Sequence, residues 1–193
     1  MNKKIIYITG NKFKVLTANN ILNPLGIDVE AKKIDCPEIQ ADLIEDVAKY
    51  SSKYASDLLE IDTLKNDSGL VIPSLGGFPG PYTHYVEDTV GEDGILKLMN
   101  NVEDRTAYFV EVLAYTEYEK EPVVFISKTE GTIAHEKSGD YGWSYDKIFI
   151  PKGHNKTLAS FPDDERWKLW DDTAYSQLVD YLKEKEELKA KIK

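Results

Sequence analysis

Cysteine is almost absent from this chain: Cys36 is the only one in 193 residues. That excludes an intramolecular disulfide and any cysteine-rich zinc site. Long apolar runs are missing as well. Lys3 and Lys4 precede only a four-residue apolar run, too short for the core of a secretory leader, and no stretch is long enough to cross a bilayer. A soluble cytoplasmic protein with no membrane partner is therefore expected. Positive charge is scarce: 24 Lys and Arg stand against 34 Asp and Glu, a formal net charge of -10. Such a balance argues against a broad polyanion-binding face, and so against nucleic acid as the main ligand. It leaves room for a small phosphorylated ligand in one local basic pocket. There is neither an internal repeat nor a low-complexity linker. With 41% hydrophobic and 11% aromatic residues, the chain buries a real core. Its length suits one domain or two closely packed lobes.

The stretch 5–14, Ile-Ile-Tyr-Ile-Thr-Gly-Asn-Lys-Phe-Lys, reads as a short buried strand, a glycine turn and the opening of a helix. Backbone N–H groups at a helix N-terminus lack partners, and the helix dipole favours an anion there. Thr9, Gly10, Asn11, Lys12 and Phe13 then form a candidate phosphate cradle, with Lys14 adding a point charge. The same residues also suit an ordinary strand-to-helix connection with Thr or Asn as N-cap. Helical spacing predicts helices over 12–23 and 43–59, the second with an apolar stripe of Leu43, Val47, Tyr50 and Tyr54. A strand is predicted over 28–34, and a short one follows Asp67 and Ser68. Residues 76–82 carry three glycines and two prolines in a rigid loop. A short helix is expected over 91–100. Two longer strands, 105–115 and 123–132, are joined by a polar link as an antiparallel hairpin, the clearest sign of a second lobe. The aromatic-dense segment 139–151 serves equally as a base-stacking wall or a core cluster. The last helix starts at Thr173, and its Lys- and Glu-rich end beyond Lys183 is expected to fray.

Taken in order, these segments resemble the inosine-triphosphatase (Ham1) family of house-cleaning nucleoside-triphosphate pyrophosphatases, most nearly its archaeal-type members. The resemblance spans almost the whole chain. It rests on Thr9-Gly10-Asn11 with Lys14, on Pro37 to Gln40, on Lys53 and on Asn66-Asp67-Ser68-Gly69. Gly77 to Gly80 and the strand carrying Arg105, Ala107 and Phe109 complete it. It implies an α/β fold: one elongated mixed β-sheet with flanking helices, a single domain over 1–193 with two lobes around a central cleft. It also implies a homodimer that hydrolyses a nucleoside triphosphate between its α and β phosphates, with Mg²⁺.

Under that resemblance the triphosphate meets Thr9 to Lys14, Lys53 and Ser68. Glu38 and Asp67 hold the metal, and Asp67 orients or deprotonates the attacking water. A capping acid and a turn acid are the plainer roles for Glu38 and Asp67. Three departures stand out. Asn66 occupies a position where many members carry an acid. The base wall reads Trp143-Ser144-Tyr145-Asp146-Lys147, without the family's proline. The family's Lys and Ser-His-Arg, which recognise the base oxygen, fall on Arg166, Trp170, Asp171 and Asp172. A carboxylate accepts hydrogen bonds and so favours an exocyclic amino group over a keto oxygen. This leads to the expectation of a base other than hypoxanthine or xanthine. If the alignment slips, Asp171 and Asp172 merely cap the last helix. The alternative function is a catalytically weakened nucleotide-binding module on the same fold.

Overall fold

The computed structural model describes residues 3–37 and 39–192. Among these, six strands form one sheet: β1 (Lys3–Ile8), β2 (Ile27–Lys32), β3 (Thr63–Val71), β4 (Thr106–Thr116), β5 (Val123–Ile133) and β6 (Phe149–Pro151). Their order across the sheet is β2-β1-β3-β4-β5-β6. β1 runs parallel to both β2 and β3, whereas β5 and β6 are antiparallel, so the sheet is mixed. Helices α1 (Lys12–Leu22), α2 (Ile44–Leu59), α3 (Thr83–Thr89), α4 (Gly91–Leu98), α5 (Asp163–Arg166) and α6 (Thr173–Ile192) flank it. The expected α/β class with a mixed sheet and flanking helices is what the chain adopts.

The chain divides into two compact units. One comprises Met1–Asp67, Glu111–Ile126 and Asp172–Lys193; the other comprises Ser68–Val110 and Ser127–Asp171. Each has its own apolar core. In the first unit, Ile5 and Tyr7 of β1 pack with Leu22, Val29, Leu64, Leu113 and Leu178, while Ile6 and Ile8 face Ala55 on the other side. A strand with parallel neighbours is covered on both faces, which is why β1 reads as a continuous apolar run. The second unit gathers Leu70, Ile72, Ile95, Met99, Ile133, Phe149 and Leu158. Arg105 ties that unit together: its guanidinium donates to the carbonyls of Ile133, Met99 and Ala134, each at 2.7 Å.

Several elements depart from expectation. The buried face of α2 is not the Leu43, Val47, Tyr50, Tyr54 stripe but Ile44 followed by the small residues Ala48, Ser51, Ser52, Ala55 and Ser56. Leu43 and Tyr50 are exposed, and Tyr50 stacks on Tyr54 at 6.3 Å. Small side chains let the helix approach the sheet closely, where hydroxyls find partners. Ser52 Oγ sits 3.1 Å from Thr63 Oγ1 and 2.7 Å from Thr116 Oγ1, and it donates to the Ala114 carbonyl at 3.1 Å. Asn19 caps the exposed edge of β2, its amide exchanging two hydrogen bonds with the Val29 backbone at 2.8 and 2.9 Å. β3 begins at Thr63, so Asp67 and Ser68 lie within the strand and not before it. α3 follows the glycine- and proline-rich loop and was not expected. α6 continues as helix to Ile192, with Lys185 paired to Glu117.

Candidate active site

The first unit builds the candidate phosphate end where β1 turns into α1. Asn11 is the N-cap: its Oδ1 accepts from the N–H groups of Phe13 at 2.9 Å and Lys14 at 3.4 Å. Thr9 Oγ1 accepts the Asn11 N–H at 3.0 Å. The two readings of this loop therefore meet in one geometry. The cap already serves two of the N–H groups, and a phosphate reaches them only by displacing the exposed Asn11 carbonyl. Gly10 has open space where a Cβ would stand. Lys12 and Phe13 are solvent-facing, Phe13 at 79% exposure.

Lys14 points the other way, into the unit. Its ammonium donates to Asn66 Oδ1 on β3, and Asn66 Nδ2 donates to Glu111 Oε1 on β4 at 2.6 Å. Burial pulls the Lys14 pKa down; the carboxylates of Glu111 and Asp67 oppose that, while Lys65 adds to it. One lysine thus feels two carboxylates and a second lysine. Glu111 and Lys65 were not singled out from the sequence. The alternation of β3 places Lys65 on the face of Asp67, a signal that was there to be read. Glu111 had no such signal, because a single acid in a strand names no partner.

Lys53 is engaged elsewhere in the same unit. Its ammonium pairs with Asp57 one helical turn on, at 2.6 Å, and that hydrogen bond, with the nearby Asp57 and Glu121 carboxylates, raises its pKa. Glu38, the other expected metal ligand, lies outside the described residues. Among the described residues no group of three or more His, Cys, Asp or Glu side chains is placed to hold a metal ion. An Mg²⁺-type site does not require one: that cation keeps several waters and is held by one or two carboxylates together with substrate phosphates. Asp67, with Glu111 acting on the same lysine, fits that modest demand.

The second unit holds the other candidate set. Arg166, at the end of α5, is 3% exposed. Its Nη2 donates to Asp163 at 2.7 Å and its Nε lies 3.7 Å from Asp146 Oδ2. The guanidinium sits 6.0 Å from the ring centre of Trp143 and 5.8 Å from that of Trp167, both exposed indoles. Asp146 is 4% exposed and accepts the Trp143 N–H at 3.2 Å. Burial pushes its pKa up, against the pull of that N–H and of Arg166. Gly142 is required beside it: φ is +65°, and a Cβ would stand 2.1 Å from Asp146 Oδ2.

Among the described residues, three buried side-chain polar atoms have no protein partner, and all lie in this unit: Ser144 Oγ, Arg166 Nη1 and Trp170 Nε1. All three donate. Ser144 is held at φ +43°, a strained setting for a non-glycine residue. Trp170 packs edge-on against Phe109 at 4.9 Å, and Phe109 against Phe149 at 4.8 Å. Tyr145 is a core residue and no wall: it is 4% exposed, packs with the second core, and donates to the Thr83 carbonyl at 3.1 Å. Asp171 is also spoken for. Its Oδ2 accepts the Lys128 N–H and its own N–H goes to Thr129 Oγ1, both at 2.9 Å. Asp172 stands immediately before α6, its carbonyl accepting the Tyr175 N–H at 3.1 Å. The Asp171 carboxylate is thus tied to β5. Ser68 lies exposed on β3.

The family model for the Ham1 family matches residues 5–173. The chain belongs to the Ham1 family. This Ham1 protein is 43% identical over 166 residues to a dITP/XTP pyrophosphatase of Methanopyrus kandleri, covering 86% of this chain and 88% of that protein. It is 42% identical to the dITP/XTP pyrophosphatase of Methanosarcina acetivorans, over 86% of this chain and 89% of that one. Among solved structures, it matches the Staphylococcus aureus Ham1 protein with a TM-score of 0.82 at 26% identity. That match covers 95% of this chain and 100% of the other. A HAM1 protein from Coxiella burnetii gives 0.83 at 25% identity, over 94% and 99%.

Proposed function

We propose that this Ham1 protein is a nucleoside-triphosphate pyrophosphatase that acts on non-canonical purine nucleotides and releases the monophosphate and pyrophosphate. The observation that supports the reading is that Lys14, just past the Thr9-Gly10-Asn11 turn, donates to Asn66 Oδ1 on β3, next in the chain to Asp67. A triphosphate concentrates negative charge, so a cation held in partial burial interacts with it far more strongly than one in bulk water. Asp67 takes the role of orienting the attacking water and drawing off its proton. Asp67 and Glu38 are the residues that would hold the divalent metal this family generally needs, here Mg²⁺. When bound, Mg²⁺ acidifies water and neutralises phosphate charge. Thr9, Gly10 and the N-terminal turn of α1 receive phosphate oxygens.

The second unit's residues supply base recognition in this reading, and the donor count decides its direction. Arg166 Nη1, Trp170 Nε1 and Ser144 Oγ are buried donors without acceptors among the described residues. A keto oxygen on the purine accepts from such a donor, whereas the amino group of adenine at that position is itself a donor and would leave it unpaired, at about 1–3 kcal/mol. The amino-bearing base expected from Asp171 and Asp172 is thereby replaced, since Asp171 spends its carboxylate on the Lys128 N–H. The exposed indole of Trp143, with Arg166 over it, gives a stacking face. The reading carries with it a cytoplasmic homodimer, whose stoichiometry sedimentation measures directly. Pyrophosphate release from XTP, ITP, dITP, GTP and ATP tests the substrate class. Keto purines lacking an exocyclic amino group should be turned over at least about tenfold faster than ATP, and a preference for ATP would overturn the assignment.

A further inference from the structure

Asn66 marks the place where the chain leaves the Glu-Asp-Ser-Gly motif, and its surroundings assign it a task. It is 6% exposed and sits between two charges. The Lys14 ammonium donates to its Oδ1, and its Nδ2 donates to Glu111 Oε1 at 2.6 Å. The amide has only one sensible orientation: reversed, it would face NH₂ to ammonium and oxygen to carboxylate. An acid at position 66 would instead meet Glu111 at hydrogen-bond distance, and two carboxylates that close do not both ionise. Residue 66 on β3 and residue 111 on β4, neighbours in the strand order, thus carry between them one amide and one carboxylate.

We propose that Glu111 is a positioning residue for the phosphate-binding Lys14, acting on it through the Asn66 amide, so that the charge absent from β3 at Asn66 is supplied from β4. This rests on the pyrophosphatase reading of the preceding section. The carboxylate polarises the Asn66 amide, whose oxygen becomes a stronger acceptor, and the ammonium is held in one place within its half-buried setting. Electrostatic attraction from Glu111 also reaches Lys14 itself, against the penalty of burial.

The test moves the charge by one link without changing shape. Glu111→Gln keeps a carbonyl to accept from Asn66 and removes only the charge. Asn66→Asp combined with Glu111→Gln restores one carboxylate and one amide in exchanged places. The carboxylate introduced on β3 then accepts from Lys14 and from the NH₂ group introduced on β4. Because Lys14 meets the triphosphate both before and during the reaction, loss of positioning appears in KM. Glu111→Gln should raise KM for XTP about tenfold with kcat within about twofold, and the double variant should return KM to within about threefold of wild type. Asn66→Asp alone, facing Glu111, should be as poor as Glu111→Gln or worse. Affinity for an α,β-methylene nucleoside triphosphate, measured by calorimetry on the same variants, should follow the same order. Thermal melts identify any variant that fails to fold. A folded Glu111→Gln with wild-type KM and analogue affinity overturns the proposal, as does a folded double variant no better than Glu111→Gln. If wild type binds the analogue but releases no pyrophosphate from XTP, the function reading fails, while the relay still stands or falls on the affinity series.

Discussion

Trp170→Phe separates a ligand-directed donor from an ordinary core ring. The indole packs on Phe109 at 4.9 Å, and its Nε1 is buried without a partner among the described residues. Phenylalanine keeps the edge-on aromatic contact and deletes the N–H. In the free protein two terms oppose each other. Relief of an unpaired buried donor is worth about 1–3 kcal/mol. The volume lost from indole to phenyl leaves a residual cavity of roughly 40 Å³, costing about 1 kcal/mol at ~24 cal/mol per Å³. For a chain of this size each kcal/mol moves Tm by roughly 2–4 °C, so Tm should stay close to wild type or rise slightly. With a keto purine bound, the same deletion removes a hydrogen bond. Here kcat/KM for XTP should fall by about 5- to 150-fold, the equivalent of roughly 1–3 kcal/mol. ATP, which makes no such bond, should lose little, so the XTP:ATP ratio contracts. The assay is pyrophosphate release from both nucleotides beside a thermal melt. An unchanged ratio with Tm intact would refute the reasoning.

Other perturbations probe separate parts of the account. Lys14→Ala should lower kcat/KM by on the order of 10²-fold with the fold retained, checked by steady-state kinetics and circular dichroism. Ala48→Leu places a bulky side chain on the small-residue face of α2, where Ala48 is fully buried; a loss of about 1–3 kcal/mol in urea unfolding is expected. Asp62 accepts from Tyr115 Oη at 2.6 Å and the Tyr118 N–H at 2.9 Å, and pairs with Lys3 at 2.9 Å. Burial raises its pKa, but these three partners together hold it below the usual carboxylate value. A depressed carboxyl pKa gives stability that is present above about pH 4 and lost as pH falls through the folded value. Asp62→Asn should therefore cost about 1–3 kcal/mol at neutral pH, and its deficit against wild type should shrink in unfolding measured below about pH 4.

The turn from β1 into α1, with Asn11 as its N-cap, was legible in the sequence because its parts are local. Thr9-Gly10-Asn11 and Lys14 lie in one turn, and backbone chemistry at a helix start dictates their geometry. Arg105 shows the limit of a motif: the residues were recognised, yet only the fold reveals that its guanidinium ties three carbonyls. The inner face of α2 is not marked by hydrophobicity, since most of it is Ala and Ser. Close approach to a sheet selects Ala and Ser, and the buried hydroxyl of Ser52 is satisfied by Thr63 and Thr116. The partner of Asp171 was hidden for a related reason, since an acid's role depends on which backbone N–H lies within reach, and Lys128 is remote in sequence. Glu111 was invisible because its partner, Asn66, lies 45 positions away on another strand.

The central claim is cleavage between the α and β phosphates, and the identity of the products tests it most directly. ³¹P NMR of XTP incubated with the wild-type protein and Mg²⁺ should show xanthosine monophosphate and pyrophosphate accumulating together, and Asp67→Asn should show neither. Formation of a diphosphate with inorganic phosphate, or binding of XTP with no turnover, would contradict it.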